Sequence, residues 1–100
     1  SDEPDLIVGA LKTVYDPEIP ADIYELGLIY RVEVEDDRQV KIDMTLTAPG
    51  CGMGEVLVDD VRSKVELIPT VAEADVELVF DPPWNQTLMS DVAKLETGML

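Results

Sequence analysis

The stretch "TAPGCGMGE", residues 47–55, holds the only cysteine of this 100-residue chain. Gly50, Gly52 and Gly54 surround it, whereas a core cysteine sits among large apolar residues. Apolar runs lie on both sides, which places Cys51 between the end of a strand and the start of a helix. Unpaired N–H groups and the helix dipole favour a thiolate there. The glycines leave the backbone open to a ligand. The chemistry implied is metal binding or thiol reactivity. A glycine turn holding a small hydrophobe accounts for the same residues equally well.

Three further groups carry potential chemistry. Asp16 and Glu18 in "DPEIP" are carboxylates held between prolines, fit to orient a partner or cap a helix. Ordinary turn formation also explains them. Thr45 and Thr47 precede Cys51 and are expected on the water-facing side of a strand, where most threonines are simply strand formers. Trp84, the sole tryptophan, follows Asp81, Pro82 and Pro83 in "DPPWNQ". It is placed to roof a site, to bind a partner or to cover an open edge of the core. The chain has no histidine, which removes Cys–His proteolysis and the common His-based zinc sites. No glycine-rich phosphate motif has the required Lys or Gly spacing.

These loops need a frame. "PDLIVGALKTVYD" repeats Leu6, Ile7, Ala10, Leu11 and Val14 at helical spacing. Pro4 suits its first turn, with Asp2 or Glu3 as cap. Pro17 disfavours helix at Asp16, so the helix is expected to stop near Tyr15. "LIYRVEVE" alternates, with Leu28, Tyr30, Val32 and Val34 expected inward and Ile29, Arg31, Glu33 and Glu35 outward. After the turn "DDR", "QVKIDMTLT" alternates again, with Val40, Ile42, Met44 and Leu46 inward. The pair reads as a hairpin with one wet face. A second helix over about 53–67 follows from Met53, Leu57, Val61 and Val65, broadened by Val56 and Val58, with Asp60 and Lys64 as an i,i+4 pair. "VAEADVELVF" is a third strand, with Ala74, Val76, Leu78 and Phe80 inward. "TLMSDVAKLETGML" closes the chain as a short helix, with Leu88, Met89, Val92 and Leu95 on one face and Gly98 near its end.

The order α-β-β-α-β-α, with one apolar face per strand, predicts an α/β (α+β) two-layer fold. A three-stranded mixed sheet is covered by helices on one face. A parallel crossover between adjacent second and third strands is expected to be right-handed. Which strand the third one joins is left open. Length and the absence of a linker or repeat predict a single domain over residues 1–100.

The formal charge is −15, from 22 acidic and 7 basic residues. That field repels nucleic-acid phosphates and anionic lipid, so neither nucleic acid nor membrane is an expected partner. It also suits a high-salt setting, where screening is strong. No stretch approaches the roughly 18–20 apolar residues that span a bilayer. "SDEPD" lacks the basic and apolar parts of a signal peptide. A lone cysteine forms no internal disulfide. A cytoplasmic location is expected.

"YDPEIPADIYELGLIY", "MTLTAPGCGMGEVL" and "VELVFDPPWNQTLMS", in this order, resemble the SufT/PaaD-like family of iron–sulfur cluster assembly domains. That family is related to the MIP-type family of cytosolic iron–sulfur targeting factors. The likeness runs from about Val14 to the C-terminus. It looks nearest to SufT, because "PGCGMG" and "DPPWNQ" are both present. The family loop often has Asn where this chain has Asp22, and SufT-like chains are often longer at the N-terminus.

The resemblance implies a non-enzymatic factor in metal–sulfur cluster biosynthesis, carrying or targeting clusters through Cys51, with Asp16, Glu18 and Thr47 beside it. Assembly proteins and client apoproteins are the implied partners, and a labile iron–sulfur cluster or iron the implied cargo. A cluster usually takes four protein ligands, mostly thiolates, so one Cys51 per chain must share it across a homodimer. Two other readings stand beside this one. One is an adaptor that docks assembly proteins without touching metal. The other is a thiol-dependent enzyme with Cys51 as nucleophile and Glu18 as base, the weaker reading without a histidine.

Overall fold

The computed structural model describes residues 3–16, 19–47 and 54–98. The elements run α1 (Glu3–Leu11), β1 (Ile29–Val34), β2 (Gln39–Met44), α2 (Gly54–Glu66), β3 (Glu73–Leu78) and α3 (Asp91–Glu96), with a 3₁₀ turn at Gln86–Leu88 before α3. The sheet order is β1-β2-β3. β1 and β2 are antiparallel, and β2 and β3 are parallel, in register from Gln39 opposite Glu73 to Met44 opposite Leu78. The third strand therefore joins the second, and the expected two-layer mixed sheet is present.

The core follows from periodicity. β2 buries Val40, Ile42 and Met44 and leaves Lys41 and Asp43 partly exposed. α2 turns Leu57, Val61 and Val65 onto the sheet, four residues apart. Ile7 and Leu11 of α1, with Val14 after it, pack into the same cluster.

Several local expectations are corrected. α1 ends at Leu11, and Tyr15 instead bridges to Asp22. In β1 the register shifts between Ile29 and Arg31. Ile29 then stands opposite Met44 on the core side, although simple alternation put it outside. Val32 and Val34 share the face of Ile42 and Val40 but stay exposed, because β1 is an edge strand. Phe80 lies beyond β3 and is exposed, as is Val56 on α2. On α2 the ion pair is Arg62 with Asp59 rather than Asp60 with Lys64.

The closing helix is only six residues long. Ser90 caps it, accepting a hydrogen bond from Ala93 N–H at 3.1 Å. The cap starts the helix one residue after Ser90, which breaks the expected stripe. Met89 and Ala93 are buried, while Leu88, Val92 and Leu95 are exposed.

Candidate functional site

The two loops that carry Asp16 and Thr47 meet. The first is shaped from within. Asp16 N–H donates to Ala21 O at 3.3 Å, and Ile23 N–H donates to Val14 O at 2.9 Å. Asp16 Oδ1 accepts from Ile19 N–H at 3.0 Å, a carboxylate turn that closes the loop on itself. Its other oxygen, Oδ2, accepts from the Thr47 hydroxyl at 3.4 Å. That distance lies beyond the roughly 2.5–3.0 Å usual between a hydroxyl and an acceptor oxygen, so the contact is a weak one. Both side chains are partly buried. Thirty-one positions separate the two residues, so this contact joins the first motif to the second at the point where the chain enters residues 48–53.

Cys51 and Glu18 lie outside the described residues. Asp16 and Thr47 are thus the two expected site residues brought together within them. Trp84 takes a different position. Its indole N–H donates to Leu26 O at 2.7 Å, and its ring packs against the core. No described contact links it to Asp16 or Thr47. Its bond to Leu26 ties the second proline loop to the first.

Thr45 corrects an expectation. Alternation predicts the wet face for it, yet it is 1% exposed, and its hydroxyl has no hydrogen-bond partner among the described residues. The register does put it on the face of Lys41 and Asp43. Near the same end of the sheet Tyr30, on the bulge of β1, donates its hydroxyl to Pro82 O at 2.8 Å.

Further residues hold these loops in place. Asp22 is buried, with Oδ2 accepting from Glu25 N–H and its carbonyl from Leu26 N–H, both at 3.0 Å. An Asp before a short helical turn is an N-cap signal. Gly27 follows at φ 80°. A β-carbon there would lie 2.3 Å from Leu88 O, so glycine is required for both conformation and approach. Ser90 N–H donates to Glu25 O at 2.8 Å. A hydrogen bond from Ser90 holds the Glu25 carboxyl below its ordinary range, assisted by the Lys12 ammonium at 3.4 Å and opposed by partial burial. The Ser-Asp pair before an apolar step marks Ser90 as a cap in sequence; its link to Glu25 is tertiary.

Chemically, Asp16 and Thr47 supply oxygen donors and a hydroxyl, and Cys51 would add the soft ligand. Among the described residues no group of three or more His, Cys, Asp or Glu side chains is arranged to hold a metal ion. Nor is any helix among them long and apolar enough to cross a membrane.

Comparison with known proteins gives a consistent result. The family model for iron–sulfur cluster assembly proteins matches residues 4–77. A Porphyromonas gingivalis protein named Fe-S protein maturation auxiliary factor is 50% identical over 94 residues, covering 94% of this chain and 90% of its own length. The Staphylococcus aureus Fe-S protein maturation auxiliary factor SufT is 42% identical over 86 residues, covering 86% of this chain and 98% of its own. A crystal structure of a domain of unknown function from Bacillus anthracis superposes with a TM-score of 0.88 at 37% identity, covering 98% of this chain and 93% of that one. The sequence motifs, the shared fold and this match over most of the chain place it in the iron–sulfur cluster assembly protein family.

Proposed function

We propose that this chain is an iron–sulfur protein maturation factor that holds iron or a cluster transiently as cargo, with Cys51 as its thiolate ligand, and passes it to apoproteins. The observation that carries the reading is the Thr47–Asp16 hydrogen bond. It joins Asp16 of the first motif to Thr47 of the motif that carries Cys51, and this supports the reading of one shared site. The names of the relatives support the process.

One thiolate per chain leaves a cluster under-ligated. The reading therefore uses two Cys51 thiolates from two chains, with carboxylates or a small thiol completing the shell. Weakly closed ligation of this kind suits release of the cargo. Glu18 belongs to the same proposed site. Assembly proteins and client apoproteins are the proposed partners, the setting is cytoplasmic, and no chemical turnover is assigned to the chain.

The test is anaerobic reconstitution with iron and sulfide of the wild-type chain, Cys51→Ser and Asp16→Asn, followed by metal analysis and absorption spectra. Cys51→Ser is expected to lose the bound iron and its charge-transfer bands, and Asp16→Asn to lose part of them. Equal iron binding by wild type and Cys51→Ser would sink the ligand role. Partner capture that survives Cys51→Ala would then favour the adaptor reading.

A further inference from the structure

Among the described residues β3 pairs with β2 alone, which leaves its other side open. Val79 N–H donates to Met44 O at 2.8 Å, which sets the phase of the ladder. Residues of a parallel strand turn their main-chain groups alternately to either side. Glu73, Asp75 and Glu77 therefore turn theirs to β2, and Ala74, Val76 and Leu78 turn theirs outward. The outward N–H of Ala74 is already used: it donates to the Glu66 carboxylate at 3.1 Å. No described residue bonds the outward groups of Val76 and Leu78.

Beside this edge runs a groove of about 300 Å³ lined by Glu55, Val58, Asp59, Val76, Glu77 and Leu78. Its floor is the half-buried Val58, Val76 and Leu78, which pack on the core. Its rim is carboxylate on both sides: Glu55 and Asp59 from α2, and Glu77 from β3.

The charges select the occupant. A second copy paired edge to edge would set Glu73, Asp75 and Glu77 against the same residues of its neighbour, in a chain of charge −15. Like charges across a strand pair are destabilising, and charged edges guard against self-pairing. A helix laid in the groove would leave the main-chain groups of Val76 and Leu78 unmatched. An extended segment matches them, and its side chains alternate between the two faces. One face meets the apolar floor, and the other meets the acidic row.

We infer that the outer edge of β3 and its groove bind an extended, basic segment of another protein by strand addition. The segment's main chain pairs with Val76 and Leu78. Its apolar side chains enter the groove at every second position, and its Lys or Arg side chains between them face Glu73, Asp75 and Glu77. The inference is independent of any role for Cys51.

The probe is an acetylated nine-residue peptide of alternating Val and Lys, titrated into the full ¹⁵N-labelled chain. Amide shifts are expected to cluster at residues 58 and 76–78, with slowed hydrogen exchange at Val76 and Leu78. An alternating Val and Glu peptide is expected to bind at least tenfold more weakly. Glu73→Lys with Glu77→Lys, which reverses two of the three carboxylates facing the peptide's Lys side chains, should remove that preference, and Val76→Pro, which removes one outward N–H, should weaken the Val–Lys peptide at least tenfold. Should Val76→Pro fail to fold, the charge-reversed variant decides. Equal binding of the two peptides, shifts elsewhere only, unchanged exchange at Val76 and Leu78, or pairing of wild-type chains through this edge would each overturn the inference.

Discussion

A hydroxyl withdrawn from water without a hydrogen-bond partner costs roughly 1–3 kcal/mol. Thr45 is such a residue among those described, although it stands two positions before Thr47 in one motif. Valine has nearly the same shape and no hydroxyl to desolvate. Thr45→Val is expected to raise the unfolding free energy by about 1 kcal/mol, read from urea denaturation at unchanged slope. A loss of stability would show that the hydroxyl has a partner in solution. Gly27 is constrained in the opposite sense. Its φ of 80° and the nearby Leu88 carbonyl leave no room for a β-carbon, and the obstacle is backbone, which yields poorly. Gly27→Ala is expected to cost about 1–3 kcal/mol, whereas Gly98→Ala, also at positive φ but with open space around it, is expected to cost less. Equal thermal midpoints for the two variants would contradict the steric argument.

Elements were legible in sequence where one local period decided them. The four-residue steps of α2 from Leu57 to Val65 and the alternation of β2 are seen as read, because each needs only its own burial face, while Met53, the first expected step, lies outside the described residues. In β1 Ile29 departs from simple alternation because a bulge changes the period and leaves no clear residue signature. α3 is shorter than its apolar pattern predicts and buries another face, since Ser90 starts it late and its orientation is set by distant residues. Ser90 joins α3 to the turn after Asp22 through the Glu25 carbonyl and carboxyl. Ser90→Ala is expected to destabilise the fold by about 1 kcal/mol. It also lets the Glu25 carboxyl rise toward its ordinary 4.5. A carboxyl held low in the folded state adds stability above its unfolded value, and loses it as pH falls through the folded value. Glu25→Gln should therefore be less stable than the surface control Asp60→Asn at pH 7. That gap should close between pH 4.5 and more acid conditions, as measured by urea midpoints across the range. A gap that persists undiminished at low pH would assign the loss to packing instead.

At the scale of the whole molecule, the meeting of Asp16 and Thr47 across 31 positions is a product of topology. No spacing rule predicts it, and only the likeness of three motifs to a known family placed the two residues together beforehand. Pairing of β3 with β2 was equally non-local, and with it the open acidic edge. Charge, by contrast, was readable from composition alone. The described ion pairs, such as Arg31 with Asp43 and Lys41 with Glu35, join at least partly exposed side chains, and exposed pairs contribute roughly 0–1 kcal/mol each. With 22 acidic and 7 basic residues, most carboxylates have no cation of their own to pair with. Salt therefore has two opposed effects: it weakens a few small attractions and screens many repulsions. The Debye length falls from about 30 Å at 0.01 M to about 3 Å at 1 M, shorter than most separations on this surface. The repulsive contribution is larger, so stability should rise with salt. Titrating KCl from about 0.01 M to 1 M is expected to raise the unfolding free energy by about 1–2 kcal/mol. Most of the gain should come by about 0.15 M, where the Debye length is already near 8 Å. A charge-reversed variant nearer neutrality, such as Glu73→Lys with Asp75→Lys, should gain less. Equal stability at low and molar KCl would mean that self-repulsion does not limit this fold.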